Sequence, residues 1–272
     1  MLPTFLVIGA MKCGTTSLYY LLADHPEVAM SARKETDFFI AEGNFHRGLA
    51  WYQSQFRGEA KAVGEVSPNY TKCHLFAGVP DRMNNVVPNA KLIYLVRDPI
   101  RRTVSHYVSS RSVGREHRSL ENALNDLNTS NYVLTSMYHR QIEPFLGQFA
   151  LDDILFLTTE ELAQSPEQAI RRVYRFVGVD DQFESQWIEA TLNDSAAKTV
   201  QPRWFRWISD TLLSQPLKDR IRPYFPEKWT PGKRLRRPEL TLHLRQKMID
   251  HLGPDVEKFR TVTGRSFESW SM

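Results

Sequence analysis

The chain has 272 residues, 42% of them apolar and 24% charged, with 35 Lys and Arg against 31 Asp and Glu for a net charge of +4. These proportions exclude a disordered, collagen-like or coiled-coil chain, and the small positive excess suits an anionic ligand while being too weak to indicate nucleic acid. Two cysteines, Cys13 and Cys73, exclude a disulfide framework and a four-thiolate zinc site, and the length fits one large α/β domain as well as two smaller ones.

Taken in chain order, short apolar runs alternate with longer helical patterns. The run at residues 5–9 reads as a buried strand, followed by a helix at 16–23 with Leu18, Leu21 and Leu22 on one side. Residues 5–11 amount to about a third of the ~20 needed to cross a bilayer. No basic side chain precedes them, so the expectation is no export signal, no transmembrane segment and a cytoplasmic location. A weaker strand is expected at 60–66, and the clearest one at 91–96, where Asp98 and Pro99 then give the N-cap and first position of a helix. A further strand falls at 154–158, with an amphipathic helix at 166–177. The stretch 240–262 carries one or two helices, with a break expected at Gly253-Pro254. Strands alternating with helices predict a parallel β-sheet flanked by helices on both faces. The Pro- and Trp-rich stretch 193–237 reads as an irregular lid or flap.

Two segments carry the chemistry. Gly9-Ala-Met-Lys12-Cys13-Gly14-Thr15-Thr16-Ser17 lies between the first strand and the first helix. There, free backbone N–H groups, the helix dipole, an ammonium and three hydroxyls make an anion cradle. The nucleotide loop G-x-x-x-x-G-K-[ST] places Lys directly after its second Gly, whereas here that position is Thr15 and the Lys lies two residues before Gly14. This weakens the alternative of a P-loop kinase or nucleotide hydrolase. The second segment, Arg97 to Tyr107, puts Arg97 at the carboxyl end of a strand and Ser105 two turns into the next helix, where both can reach one phosphate. Arg101 and Arg102 read as a solvated basic pair.

These residues resemble the sulfotransferase family. GAMKCGTTSL is similar to its 5′-phosphosulfate-binding loop, and LIYLVRDPIRRTVSHY to its 3′-phosphate-binding strand, loop and helix. Lys34-Glu35-Thr-Asp-Phe38-Phe39, Gly48 to Tyr52 and Gly64-Glu65-Val-Ser67-Pro68-Asn-Tyr70 resemble the heparan-sulfate type and its bacterial relatives. So do Glu160-Glu161-Leu162, Phe176-Val-Gly178 and the run from Leu252 to Val256. The resemblance covers nearly the whole chain and implies a P-loop-related α/β fold over a single domain, residues 1–272. It implies 3′-phosphoadenosine 5′-phosphosulfate (PAPS) as donor and adenosine 3′,5′-bisphosphate (PAP) as product. Lys12, Cys13, Gly14, Thr15, Thr16 and Ser17 would then hold the 5′ side, Arg97 and Ser105 the 3′-phosphate, and Glu35 would be the catalytic base. Lys198 and Arg203 are the candidates for a covering loop. Where the heparan-sulfate type has a Lys after the Glu of its E-K-[ST] segment, this chain has Val66.

Sulfuryl transfer needs a group to take the acceptor's proton and cations to hold the growing charge on the leaving phosphate, roles that fall on Glu35 and Lys12. His46 and His106 are competing bases, and no spacing suits a metal. The expected acceptor is a carbohydrate, lipid or small natural product. Trp51, Tyr52, Tyr70, Trp204 and Trp207 could line its site or simply fill the core. A non-catalytic nucleotide- or carbohydrate-binding protein is the remaining alternative, and oligomeric state is not readable.

Overall fold

A computed structural model describes residues 1–188 and 238–272. Five strands form one parallel sheet: β1 (Phe5–Gly9), β2 (Val28–Met30), β3 (Ala62–Val66), β4 (Lys91–Val96) and β5 (Ile154–Thr158), in spatial order β2-β3-β1-β4-β5. Phe5 is in register with Gly64 on one side and Lys91 on the other, and Leu92 with Ile154. Every residue of β1 and β3 is buried, as parallel strands covered on both faces require. β2 has only three residues, two of them half-buried, and leaves no periodic trace in the sequence.

From β1 the chain goes out to the edge strand β2, returns to β3 between the two, then crosses past β1 to β4 and β5. The direction of winding therefore changes between β1 and β4, and the crevice outside their carboxyl ends is where such sheets bind ligands. β1 delivers its loop there and continues into α1 (Thr15–Ala23); β4 delivers Arg97 and continues into α4 (Pro99–Ser112). Between them come α2 (Gly48–Gln53) and α3 (Val79–Val86). The Asp98 carboxylate accepts from Arg101 N–H at 2.8 Å, the N-cap expected from its place before Pro99.

Beyond α4 follow α5 (Leu120–Ala123), α6 (Asn131–Leu134), α7 (Tyr138–Leu146), α8 (Thr159–Gln164), α9 (Pro166–Val177) and α10 (Leu242–Thr263). The break expected at Gly253-Pro254 is absent: α10 runs unbroken through Pro254. Proline removes one helical hydrogen bond, but Leu244, Met248, Leu252, Val256 and Phe259 bury one continuous face, and that packing prevails. The same helix presents Asp255, which accepts from the N–H groups of His139 and Arg140 at 3.0 and 2.9 Å and so caps α7 from outside. Among the described residues no helix is long and apolar enough to cross a membrane.

Candidate active site

The β1–α1 loop is held by close backbone approach. A Cβ at Gly9 would overlap Thr71 Oγ1, so only glycine lets the segment after β3 pack against the end of β1. Lys12 and Gly14 both adopt left-handed backbone, at φ 75° and 94°. For Lys12 this conformation costs about 1–2 kcal/mol and is sustained by its surroundings. α1 begins with no acidic residue in its first turn and no side-chain cap, so the positive end of its dipole is left for a ligand.

Cys13 fastens the loop to its surroundings. Its N–H donates to Ala10 O at 3.2 Å, its carbonyl accepts from Thr159 Oγ1 at 2.6 Å, and its Sγ lies 3.6 Å from Tyr138 Oη. Burial pushes the thiol up to about 11. The N–H of Cys13 is thus taken within the loop, while its carbonyl and thiol tie the loop to α8 and α7.

Beside this loop lies a cavity of about 880 Å³ lined by Lys12, Thr15, Thr16, Glu35, Lys72, His106 and Ser109, among others. The Lys12 ammonium donates to Ser109 Oγ on α4 at 3.3 Å. Lys34 bonds both Glu35, at 2.9 Å, and Thr16 Oγ1, at 3.1 Å, tying the carboxylate to the first turn of α1. The segment carrying Glu35 rests on Glu65, a fully buried carboxyl that accepts from Thr36 Oγ1, from Tyr52 Oη at 3.1 Å and from Tyr70 Oη at 2.7 Å. Tyr70 Oη in turn accepts from Phe38 N–H at 3.0 Å. Burial pushes Glu65 up to about 7, the three hydroxyls notwithstanding.

His106 also lines the cavity, but burial and then the Arg102 guanidinium, 3.3 Å from its Nδ1, push it down to about 2. It is a neutral ring at working pH and a poor base. His46 is exposed on a 3₁₀ turn away from the cavity. Arg102 corrects the reading of a solvated pair: Arg101 is exposed, but Arg102 is fully buried, donating to Ser136 Oγ at 2.6 Å, Met11 O at 3.2 Å and Tyr132 O. Successive helical residues point about 100° apart, and here Arg101 turns to solvent while Arg102 turns into the interior.

Arg97 sits where the sequence placed it, its N–H donating to Tyr138 Oη at 3.2 Å and its carbonyl accepting from the same hydroxyl at 2.8 Å. Its Nε is buried and has no hydrogen-bond partner among the described residues. Ser105 is buried on α4. Neither of them, nor the half-buried Ser17, lines the cavity. Lys198, Arg203, Trp204 and Trp207, with the whole of the expected lid, lie outside the described residues. Tyr52 and Tyr70 belong to the core beneath Glu35, and Trp51 is half-buried under Arg47. Lys72, Asn69, Ser109 and a polar far wall that includes Arg115, Arg118, Asn122, Asp126 and Asn131 are cavity residues the sequence did not single out.

The site suits a donor with phosphate and sulfate groups. Lys12, Lys72 and Arg102 are close enough together to depress the His106 ring, and the orphaned Arg97 Nε awaits an acceptor. Comparison with known proteins agrees. Over 187 residues the chain is 31% identical to heparan sulfate glucosamine 3-O-sulfotransferase 3A1 of Mus musculus, covering 65% of this chain and 46% of that protein. The chain thus spans about half the length of that curated relative. The fold matches a sulfotransferase from Alicyclobacillus acidocaldarius with a TM-score of 0.75 at 22% identity, covering 100% of both chains. It matches mouse sulfotransferase SULT7A1, solved in complex with PAP, with a TM-score of 0.55 at 13% identity over 98% of this chain and 85% of that one. The model of the sulfotransferase domain matches residues 2–259, so nearly all of the sheet and helices described above fall within it, and the chain belongs to the sulfotransferase family.

Proposed function

We propose that this chain moves a sulfuryl group from PAPS to a hydroxyl or amine of a carbohydrate-type acceptor. One observation carries the reading: a single cavity holds Lys12, the start of α1 and the Glu35 carboxylate. When bound, the donor supplies an activated sulfuryl group whose bond to the 5′-phosphate is the one that breaks. Lys12 and the first N–H groups of α1 hold the 5′ side, and Arg97 with Ser105 hold the 3′-phosphate. Glu35 takes the acceptor's proton, a role worth about 10²–10⁴-fold in rate. The Lys34 bonds to Glu35 and Thr16 keep that carboxylate beside the first turn of α1.

The far wall supports a polar acceptor. Its residues are guanidinium groups, carboxylates and amides, and Tyr132 is the only Phe, Tyr or Trp side chain among the described lining residues. Such a wall offers many donors and acceptors to a sugar and little apolar surface to a phenol or lipid. The printed name of the mouse relative, a glucosamine 3-O-sulfotransferase, agrees with this. The test is transfer from ³⁵S-labelled PAPS to a panel of glucosamine-containing oligosaccharides, p-nitrophenol and a long-chain alcohol. Label should pass to the oligosaccharides and be lost in Lys12→Ala. Labelling of the phenol or alcohol alone would overturn the acceptor class, and failure of PAP to raise the melting temperature would overturn the donor reading.

A further inference from the structure

Val66 stands where the resemblance to the heparan-sulfate type implies a Lys. That residue ends β3, is fully buried and belongs to the main hydrophobic core, so no cation reaches the cavity from it. Six residues further on, the chain supplies one. After β3 a tight turn returns the chain to the end of β1, with Thr71 N–H donating to Ile8 O at 3.3 Å and Lys72 N–H to Asn69 O at 3.0 Å. This lays the Lys72 side chain under the β1–α1 loop. Its Nζ lies 2.7 Å from Asn69 Oδ1 and 3.0 Å from the sulfur of Met11, the residue next to Lys12. Lys72 is 7% exposed and lines the same cavity as Lys12 and Glu35.

An ammonium so buried is stable when an anion faces it. Among the described residues Lys72 makes no salt bridge; the partners named for its Nζ are an amide oxygen and a thioether. We propose that Lys72 is the second cation of the site and that its ammonium holds the sulfuryl oxygens of the donor, opposite Lys12. The inference rests on the reading of this cavity as the donor site. Burial, then Arg102 of α4, lower the ammonium to about 8, with Arg115 acting the same way and Asp37 and Glu35 opposing. The neighbouring His106 ring is neutral, and Lys12 adds positive charge from the loop. Binding an anionic sulfuryl group therefore raises Lys72 and draws in a proton.

The test is calorimetric titration of the whole protein with PAPS and separately with PAP, at pH 8 in buffers of different ionisation enthalpy. Wild type should take up a measurable fraction of a proton with PAPS, because burial holds the free Lys72 ammonium down at about 8 and the bound anion raises it. Lys72→Met fills the same channel without charge and should remain folded by thermal melt. It should bind PAPS about tenfold more weakly, the value of one charge-assisted hydrogen bond, bind PAP within about twofold of wild type, and take up no proton. Lys72→Arg should keep the PAPS affinity and lose the uptake. Wild-type affinity and uptake in Lys72→Met, or equal losses for PAPS and PAP, would overturn the role of Lys72. A wild-type protein that binds neither nucleotide would instead overturn the donor reading itself.

Discussion

Glu65→Gln should make the protein more stable at pH 8, with most of that gain gone at pH 5. Glu65 is fully buried and receives three hydroxyls, from Thr36, Tyr52 and Tyr70. Burial raises its carboxyl from the ordinary 4.5 to about 7. A carboxyl raised on folding holds its proton longer in the native than in the unfolded chain. Its contribution is therefore complete below pH 4.5 and is lost as pH rises through 7. The interval between the two values corresponds to about 3 kcal/mol, at 1.36 kcal/mol per pH unit. Glutamine reproduces the protonated state: its carbonyl accepts from the two phenols and its amide donates to Thr36 Oγ1, with nothing left to titrate. Urea denaturation of both proteins at pH 5 and pH 8 isolates the effect, because all other titrating groups are common to both. The advantage of the glutamine variant should be about 2–3 kcal/mol larger at pH 8 than at pH 5. An equal difference at the two pH values would refute the reasoning.

Glu35→Gln should lower turnover by about 10²–10⁴-fold while PAP binding stays within twofold, measured by ³⁵S transfer and calorimetry; undiminished turnover would remove it as the base. Gly64→Ala should destabilise the fold by about 1–3 kcal/mol or more, because the added methyl overlaps the Phe5 ring across the β1–β3 pair. The double variant Phe5→Leu/Gly64→Ala should recover part of that loss in urea melts.

How much of this was legible follows from how local each signal is. β1, β4 and β5 are aliphatic runs bounded by turn residues, and Asp98-Pro99 marks a helix start, so these elements were readable within a few residues. β2 was not, because three residues carry no period. The loop bearing Lys12 was readable because the residues that make it are consecutive. Lys72 was not: its ammonium meets Met11 from 61 positions away, and nothing near Thr71 in the sequence announces that contact. Ser109, one helical turn beyond Ser105, was not legible either, because its contact with Lys12 spans 97 positions. Tyr52 and Tyr70 show why aromatic residues are poor guides to a binding surface. Their rings pack in the core while their hydroxyls serve Glu65.

The buried Arg102 guanidinium reaches two carbonyls, Met11 O in the loop before α1 and Tyr132 O on α6. Met11 and Tyr132 both line the cavity. One buried guanidinium therefore rivets together two parts of the cavity wall that lie 121 positions apart in the chain. Neither part can shift without pulling on Arg102, whose charge has no water to turn to.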